Sequence, residues 1–188
     1  MNSQNLILFT DHLFKTLGRK TDEIRKIESL HPDLPAVHVF IFNNYPDQNL
    51  TTFVTYGLSE MSHPKWHFGR PEVMLCVESD KEAWGIGLGA IVNRFRGEKL
   101  FSYGSTYMLD MPLIDESKMT GFVLYKTGFL PEGGGVFQLE GKTVYLIQAY
   151  PLYPGEAKLI EKKGFEAFWT DERLEDVYDV KRKDISTK

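Results

Sequence analysis

The sequence predicts an α/β (α+β) domain built as a mixed, mostly antiparallel β-sheet covered by helices. Three observations point there. Apolar residues recur at helical spacing in the N-terminal, middle and C-terminal parts of the chain. Between these stretches lie several short β-branched and aromatic runs bounded by turn residues. The length of 188 residues is that of one domain, enough to bury a core without a metal or a disulfide.

Leu6, Phe9, Leu13 and Leu17 share one helical face, and Gly18 follows as the residue that ends the helix. Thr21–Leu30 is expected to add a short second helix with Ile24 and Ile27 inward, broken by the prolines of His31–Pro35. Strands are expected at Val37–Phe42, Thr52–Leu58 and Val73–Val77; the last is apolar on both faces and so belongs in the centre of the sheet. Met61–Glu72 carries His63, Trp66 and His67 in a connection longer than usual, which makes it a place for function.

Ser79-Asp80-Lys81-Glu82 has the form of a capping box and starts a helix that runs to Phe95, with Trp84, Leu88, Ile91 and Phe95 on one face. Gly85, Gly87 and Gly89 weaken that helix, and their alternation with Trp84, Ile86 and Leu88 also fits a strand. The cap and the reach to Phe95 favour the helix. Further strands are expected at Tyr107–Met108, Gly121–Lys126, Val136–Leu139 and Thr143–Tyr150, the last two joined by a Glu140-Gly141 hairpin turn. Pro154 opens a helix to Lys163, Gly164 ends it, and Phe165, Phe168 and Trp169 start a last apolar stretch. The whole is expected to be one domain, residues 1–188, with a frayed, charged tail over residues 179–188.

Composition narrows the functions. A hydrophobic share of 42% and a charged share of 26% are those of a folded, soluble chain. The net charge of −4, with only Lys181-Arg182-Lys183 as a basic block, speaks against nucleic acid as partner. No run approaches the roughly 20 apolar residues that span a bilayer. A single cysteine, Cys76, and no leader at Met1–Leu8 make the cytoplasm the expected compartment.

The candidate chemistry is thin. Gly85-Ile86-Gly87-Leu88-Gly89-Ala90 satisfies the dinucleotide pattern and has Asp110 about twenty residues on. The pattern needs its first glycine in the strand-to-helix turn, whereas Ser79 and Glu82 place these glycines inside a helix, where they serve close packing. Gly133-Gly134-Gly135 lacks the Lys-Ser/Thr of a phosphate loop. His63 and His67 flank Pro64, so no helix brings them together as metal ligands. His38 alternates with Phe40 and Phe42 as a packed or partly exposed imidazole. Cys76 lies in an apolar run and reads as an inert thiol, and Ser59 lacks the second glycine of a nucleophile elbow. Glu78, Asp80 and Glu82 suit a helix start without catalysis. No cofactor, metal or catalytic residue is expected.

Thr52-Phe53-Val54-Thr55-Tyr56-Gly57-Leu58-Ser59-Glu60 resembles the T-x-V-T-x-G-x-S tract, ending in Asp or Glu, of the suppressor-of-fused family. In the same order, Arg70-Pro71-Glu72-Val73-Met74-Leu75-Cys76 is similar to that family's E-L-M strand, and Trp84 with Leu88 to its following helix. Met111-Pro112-Leu113 with Ser117-Lys118-Met119 resembles its P-L-x-x-x-S stretch. Tyr145–Glu156 looks like its late strand running into P-L-Y-x-x-E. The likeness covers about residues 37–169. Glu60 stands where Asp is common, and Gly155 where an acidic residue is common before Glu156.

The resemblance implies a suppressor-of-fused-like domain that binds another protein, in the short form found in bacteria. It implies an immunity-type protein that neutralises a partner toxin by occlusion, or else an adaptor without a toxin partner. Animal relatives grip an extended peptide by adding it to a sheet as a strand. An enzyme that uses Gly85–Ala90 with a nucleotide is the reading from a different class; no small-molecule substrate is otherwise expected. Trp66 and His67 in the long loop, and Tyr150 and Tyr153 beside the last helix, are the expected partner-binding residues, since aromatic side chains dominate interfaces. The same four also suit lids over the core.

Overall fold

A computed structural model describes residues 3–115, 117–130 and 133–187. Met1, Asn2 and Lys188, where the leader and tail readings begin and end, lie outside the described residues. The element order is α1 (Ser3–Leu17), β1 (Glu23–Ile27), β2 (Val37–Asn43), β3 (Thr51–Tyr56), β4 (Arg70–Val77), α2 (Ala83–Phe95), β5 (Thr106–Met108), β6 (Gly121–Tyr125), β7 (Val136–Leu139), β8 (Lys142–Leu152), α3 (Pro154–Lys163) and α4 (Phe165–Trp169).

The strands form one mixed sheet in the order β1-β2-β3-β4-β8-β6-β5, with β7 also on β8. Only the β4–β8 pairing is parallel among the described strands, with Met74 opposite Gln148. The central place expected for Val73–Val77 is the one it occupies. Long β8 changes partner along one edge: Lys142–Tyr145 pair with β7, and Gln148–Leu152 pair with β6. Between β6 and β7 the chain leaves the sheet at residues 126–130 and returns through residues 133–135.

Strand alternation sends successive β8 side chains to opposite faces. Ile147 and Ala149 join Val39, Phe53 and Leu75 under α2, whose Trp84, Leu88 and Ile91 complete that core. Val144 and Leu146 face the other way and pack with Phe40, Val54 and Met74 under Phe9 and Leu13 of α1. At the far end of that second face, Tyr150 and Leu152 meet Ile160 of α3 and Phe168 of α4.

Three expectations are corrected. Thr21–Leu30 holds a strand, β1, and no helix: its five residues pair with β2 from Glu23–Ile41 to Ile27–Val37. Ile27 packs against the α2-side core while Ile24 is exposed, since a strand turns residues three apart to opposite faces. The capping box does not form. Ser79 Oγ accepts the Lys81 N–H at 3.2 Å, the helix starts at Ala83, and Glu82 instead pairs with Arg25 of β1 at 2.9 Å. The tail is held. Val180 and Ile185 are buried, and Arg182 pairs at 2.5 Å with the fully buried Glu156. The two apolar anchors and the ion pair offset the entropy of ordering a segment that is otherwise polar.

Gly85 and Gly89 of α2 lie against the sheet, while Gly87 faces Leu113. A Cβ at Gly85 would overlap the Phe53 ring, and one at Gly89 would overlap Ile27 and Val39. These glycines let the helix approach the strands and leave no space for a pyrophosphate on that side.

Candidate functional site

Two connected features stand at the end of the sheet where β3, β4 and β8 meet: a buried carboxylate that shapes the Met61–Gly69 loop, and a groove along that loop. The first rests on Glu72, fully buried in β4. Its Oε1 accepts the N–H of Gly57 at 2.8 Å, the N–H of Ser59 at 2.8 Å and the Ser59 hydroxyl at 2.7 Å. Its Oε2 accepts the Thr55 hydroxyl at 2.8 Å. The Thr55 oxygen also accepts the Val73 N–H at 3.0 Å, just where the β3–β4 ladder stops at Val54–Met74. Burial pushes the Glu72 carboxyl up to about 7, against the pull of those four hydrogen bonds.

A buried arginine takes the opposite side of the same turn. Arg96 Nη1 donates to the Gly57 carbonyl at 3.2 Å, and Nη2 donates to Pro35 O at 2.6 Å and to Asn93 Oδ1 at 3.0 Å. Gly57 itself has φ +138°, and a Cβ there would stand 3.1 Å from Ala36 O and 3.2 Å from Val37 Cα. Only glycine passes this point without strain. Arg70 Nη1 holds the Ser59 carbonyl at 3.0 Å, and the Tyr56 hydroxyl bonds Glu60. The turn is thus fixed on every side before the chain enters the loop.

The groove encloses about 830 Å³. One wall is Lys65–Gly69, a second is Leu100–Tyr103, and a third comes from Lys126, Thr127, Leu130, Gly133 and Gly135 with the start of β8. The first wall is set by a turn in which Trp66 N–H donates to His63 O at 3.0 Å and Lys65 N–H to His63 Nδ1 at 3.1 Å. Trp66 is half-buried against the core, while Phe68 is 93% exposed. Tyr103 and Val136, also well exposed, stand on the other walls.

The structure brings Trp66 and His67 together in this groove. It does not bring Tyr150 or Tyr153 there. Tyr150 is buried, its ring 4.8 Å from that of Trp169, and its hydroxyl donates to Lys126 O at 3.0 Å. It braces the groove wall from behind. Tyr153 is half-buried and donates to Arg182 O at 2.7 Å, so it fastens the C-terminal segment. Sequence reasoning missed Phe68, Tyr103, Val136, Lys65 and Lys126 in the groove, and the role of Glu72. A charged residue inside the otherwise apolar Pro71–Val77 run was the available signal for Glu72.

Glu72 does not line the groove, Ser59 is spent on Glu72, and burial pushes the Cys76 thiol up to about 11. Among the described residues no three of His, Cys, Asp and Glu gather as a metal site. No described helix is long and apolar enough to cross a membrane.

Fold and site together define a helix-covered mixed-sheet domain with a preformed surface groove and a buried polar clasp beneath it. The sequence profile of the suppressor of fused protein (SUFU) family matches residues 33–183. The chain belongs to the suppressor-of-fused family. Solved relatives share the fold at low identity. A suppressor-of-fused homologue from Neisseria gonorrhoeae superposes with a TM-score of 0.68 at 17% identity, covering 96% of this chain and 94% of that one. Sufu in the crystal structure of the Sufu–Fu complex gives 0.66 at 13% identity, covering 95% and 91%. Drosophila Suppressor of Fused gives 0.67 at 13% identity over 95% of this chain, which spans half of that protein. No curated protein matches the chain in sequence at a significant level.

Proposed function

We propose that this chain, acting as one cytoplasmic unit over residues 1–188, is a protein-binding module and not an enzyme, and that the groove around Trp66 and His67 is its docking surface. The observation that carries this reading is the convergence of Phe68, Tyr103 and Val136, three large apolar side chains left in water, on the groove that holds Trp66. Exposed apolar side chains around a concavity lose water on association, and aromatic ones supply most of the energy. A family relative solved in complex with Fu supports it. The finer reading is an immunity-type protein that occludes a toxin. It rests on the resemblance of the sequence tracts to the bacterial form of the family, and the fold shared with the Neisseria gonorrhoeae relative is compatible with it.

Affinity capture from the native host, read by mass spectrometry, tests the module. A partner retained by the natural chain and lost with Phe68→Ser supports it; a partner that binds both equally moves docking away from the groove. Turnover of a small molecule with no stable partner would replace the module with an enzyme. Co-expression with the toxin of a neighbouring gene tests immunity: continued growth is expected, and growth arrest, or the lack of any such gene, leaves the adaptor reading.

A further inference from the structure

The loop Met61–Gly69 is closed at its base by side chains instead of strand pairing. The β3–β4 ladder stops at Val54–Met74; continued in the same register, Gly57 would face Pro71, which has no N–H to give. Two residues that follow the loop take over from the ladder. Glu72 accepts the N–H groups of Gly57 and Ser59, each at 2.8 Å, and Arg70 donates to the Ser59 carbonyl at 3.0 Å. Ser59 is thus gripped on its N–H and on its C=O by the chain that returns. At the exit, a Cβ on Gly69 would stand 2.7 Å from Thr143 O, so only glycine brings the returning chain this close to β8. Inside the loop, Met61 N–H donates to Leu58 O at 3.0 Å, and Trp66 packs on the core. Exposed His67 and Phe68 stand between Trp66 and Gly69, two points that are both held.

We propose that Glu72 and Arg70 are positioning residues for docking: by joining the two ends of the loop they hold Trp66, His67 and Phe68 in the binding arrangement before the partner arrives. This rests on the reading of the loop as part of the docking surface. Neither residue needs to touch the partner, and Glu72 is fully buried. Their effect is on how often the loop is in place. A site that is competent only part of the time loses apparent affinity by that fraction. The loss then falls on association, because the contacts made once bound are unchanged. A residue that supplies contacts acts mainly on dissociation. The ordering cost of the loop is met on folding, so binding does not carry it.

Two measurements on the intact chain test this. Native-state trypsin reads the loop alone: it cuts after Lys65, whereas Arg70 precedes Pro71 and resists cleavage. Binding kinetics with the protein purified by the capture described above read the docking. Arg70→Met keeps the stem at a half-buried position and loses the guanidinium. The cut after Lys65 should become about tenfold faster and association about tenfold slower, as for a loop in place a tenth of the time. Dissociation should change little. Glu72→Ala should act in the same direction, and Glu72→Gln, which keeps an acceptor at Oε1, should restore both readings. Gly89→Ala destabilises the chain from α2 and should alter neither, at a temperature where melts show every variant folded. If Glu72→Ala does not fold, Arg70→Met decides alone. A cut rate unchanged in Arg70→Met overturns the proposal. So does a loosened loop that binds at the natural rate, or an equal slowing of association in Gly89→Ala. Phe68→Ser should speed dissociation instead; if it binds as the natural chain does, the docking reading itself fails, whatever trypsin shows.

Discussion

Glu72 holds Ser59 twice, by its backbone N–H at 2.8 Å and its hydroxyl at 2.7 Å, from thirteen residues further along the chain. The G-x-S of the family tract therefore supplies donors to a buried carboxylate. Glu72→Ala would leave four donors facing an empty, dry space, and a loss of about 3–5 kcal/mol is expected, as for a broken buried polar network. Glu72→Gln keeps an acceptor at Oε1 and should cost far less. Urea denaturation of both variants checks this; equal losses would mean that the charge and not the hydrogen bonding holds the turn.

The same group makes stability depend on pH. Burial holds the Glu72 carboxyl at about 7, above its ordinary 4.5, so between those values the folded chain keeps a proton that the unfolded chain has released. Acid therefore favours the folded state in this window. Relative to Glu72→Gln, stability should fall as pH rises from 4.5 to about 7 and stay level above it. At ~1.4 kcal/mol per pH unit the fall is about 3 kcal/mol. Denaturant melts of the two chains from pH 4.5 to 8 give the difference. A rise across that range would show that the four hydrogen bonds outweigh burial.

Most of the strands and both long outer helices were legible because their cause is local. Leu6, Phe9, Leu13 and Leu17 repeat at helical spacing, and Glu140-Gly141 takes the positive φ of a hairpin turn at 46° and 76°. The errors share a different cause. Arg25 of β1 draws Glu82 out of the capping role, so the misread strand and the misplaced start of α2 are one mistake about a pair 57 residues apart. The held tail depends on Glu156, 26 residues before Arg182. The groove was half legible: Trp66 and His67 sit in a long loop, but Tyr103 and Val136 reach it only because β8 changes partner between β7 and β6.

Arg182→Ala tests the tail. It removes the partner of a carboxylate that is fully buried and also accepts the N–H groups of Tyr153 and Ile185. An unpaired buried charge of this kind costs about 3–5 kcal/mol. Hydrogen exchange should find the Ile185 amide as protected as those of α3 in the natural chain and released in the variant. A fast-exchanging Ile185 in the natural chain would restore the frayed tail.

Gly89→Ala separates packing from cofactor binding in α2. The added methyl meets Ile27 and Val39, and overpacking of this kind costs about 1–3 kcal/mol. Ile27→Ala made together with it should recover part of the loss, since the nearest obstructing atom belongs to that side chain. Millimolar dinucleotide should leave the melting temperature of the natural chain unchanged. A clear upward shift, lost with Gly89→Ala, would instead put a nucleotide on this helix.

The four residues first singled out for binding should divide by experiment as they divide in space. Tyr150→Phe removes a buried hydrogen bond to the Lys126 carbonyl and should cost about 1 kcal/mol of stability. Tyr153→Phe does the same to the C-terminal segment through Arg182 O. Both keep their rings, and neither ring reaches the groove, so the partner captured by the natural chain should be retained. His67→Ala should act the other way, with little effect on a urea melt and a measurable loss of partner, since His67 lines the groove. Trp66→Ala should show both effects, because that ring packs on the core and faces the groove at once. Titrating the retained partner against each variant, with a melt beside it, reads the two effects separately. Loss of partner with Tyr153→Phe but not with His67→Ala would move the docking surface to α3 and the C-terminal segment.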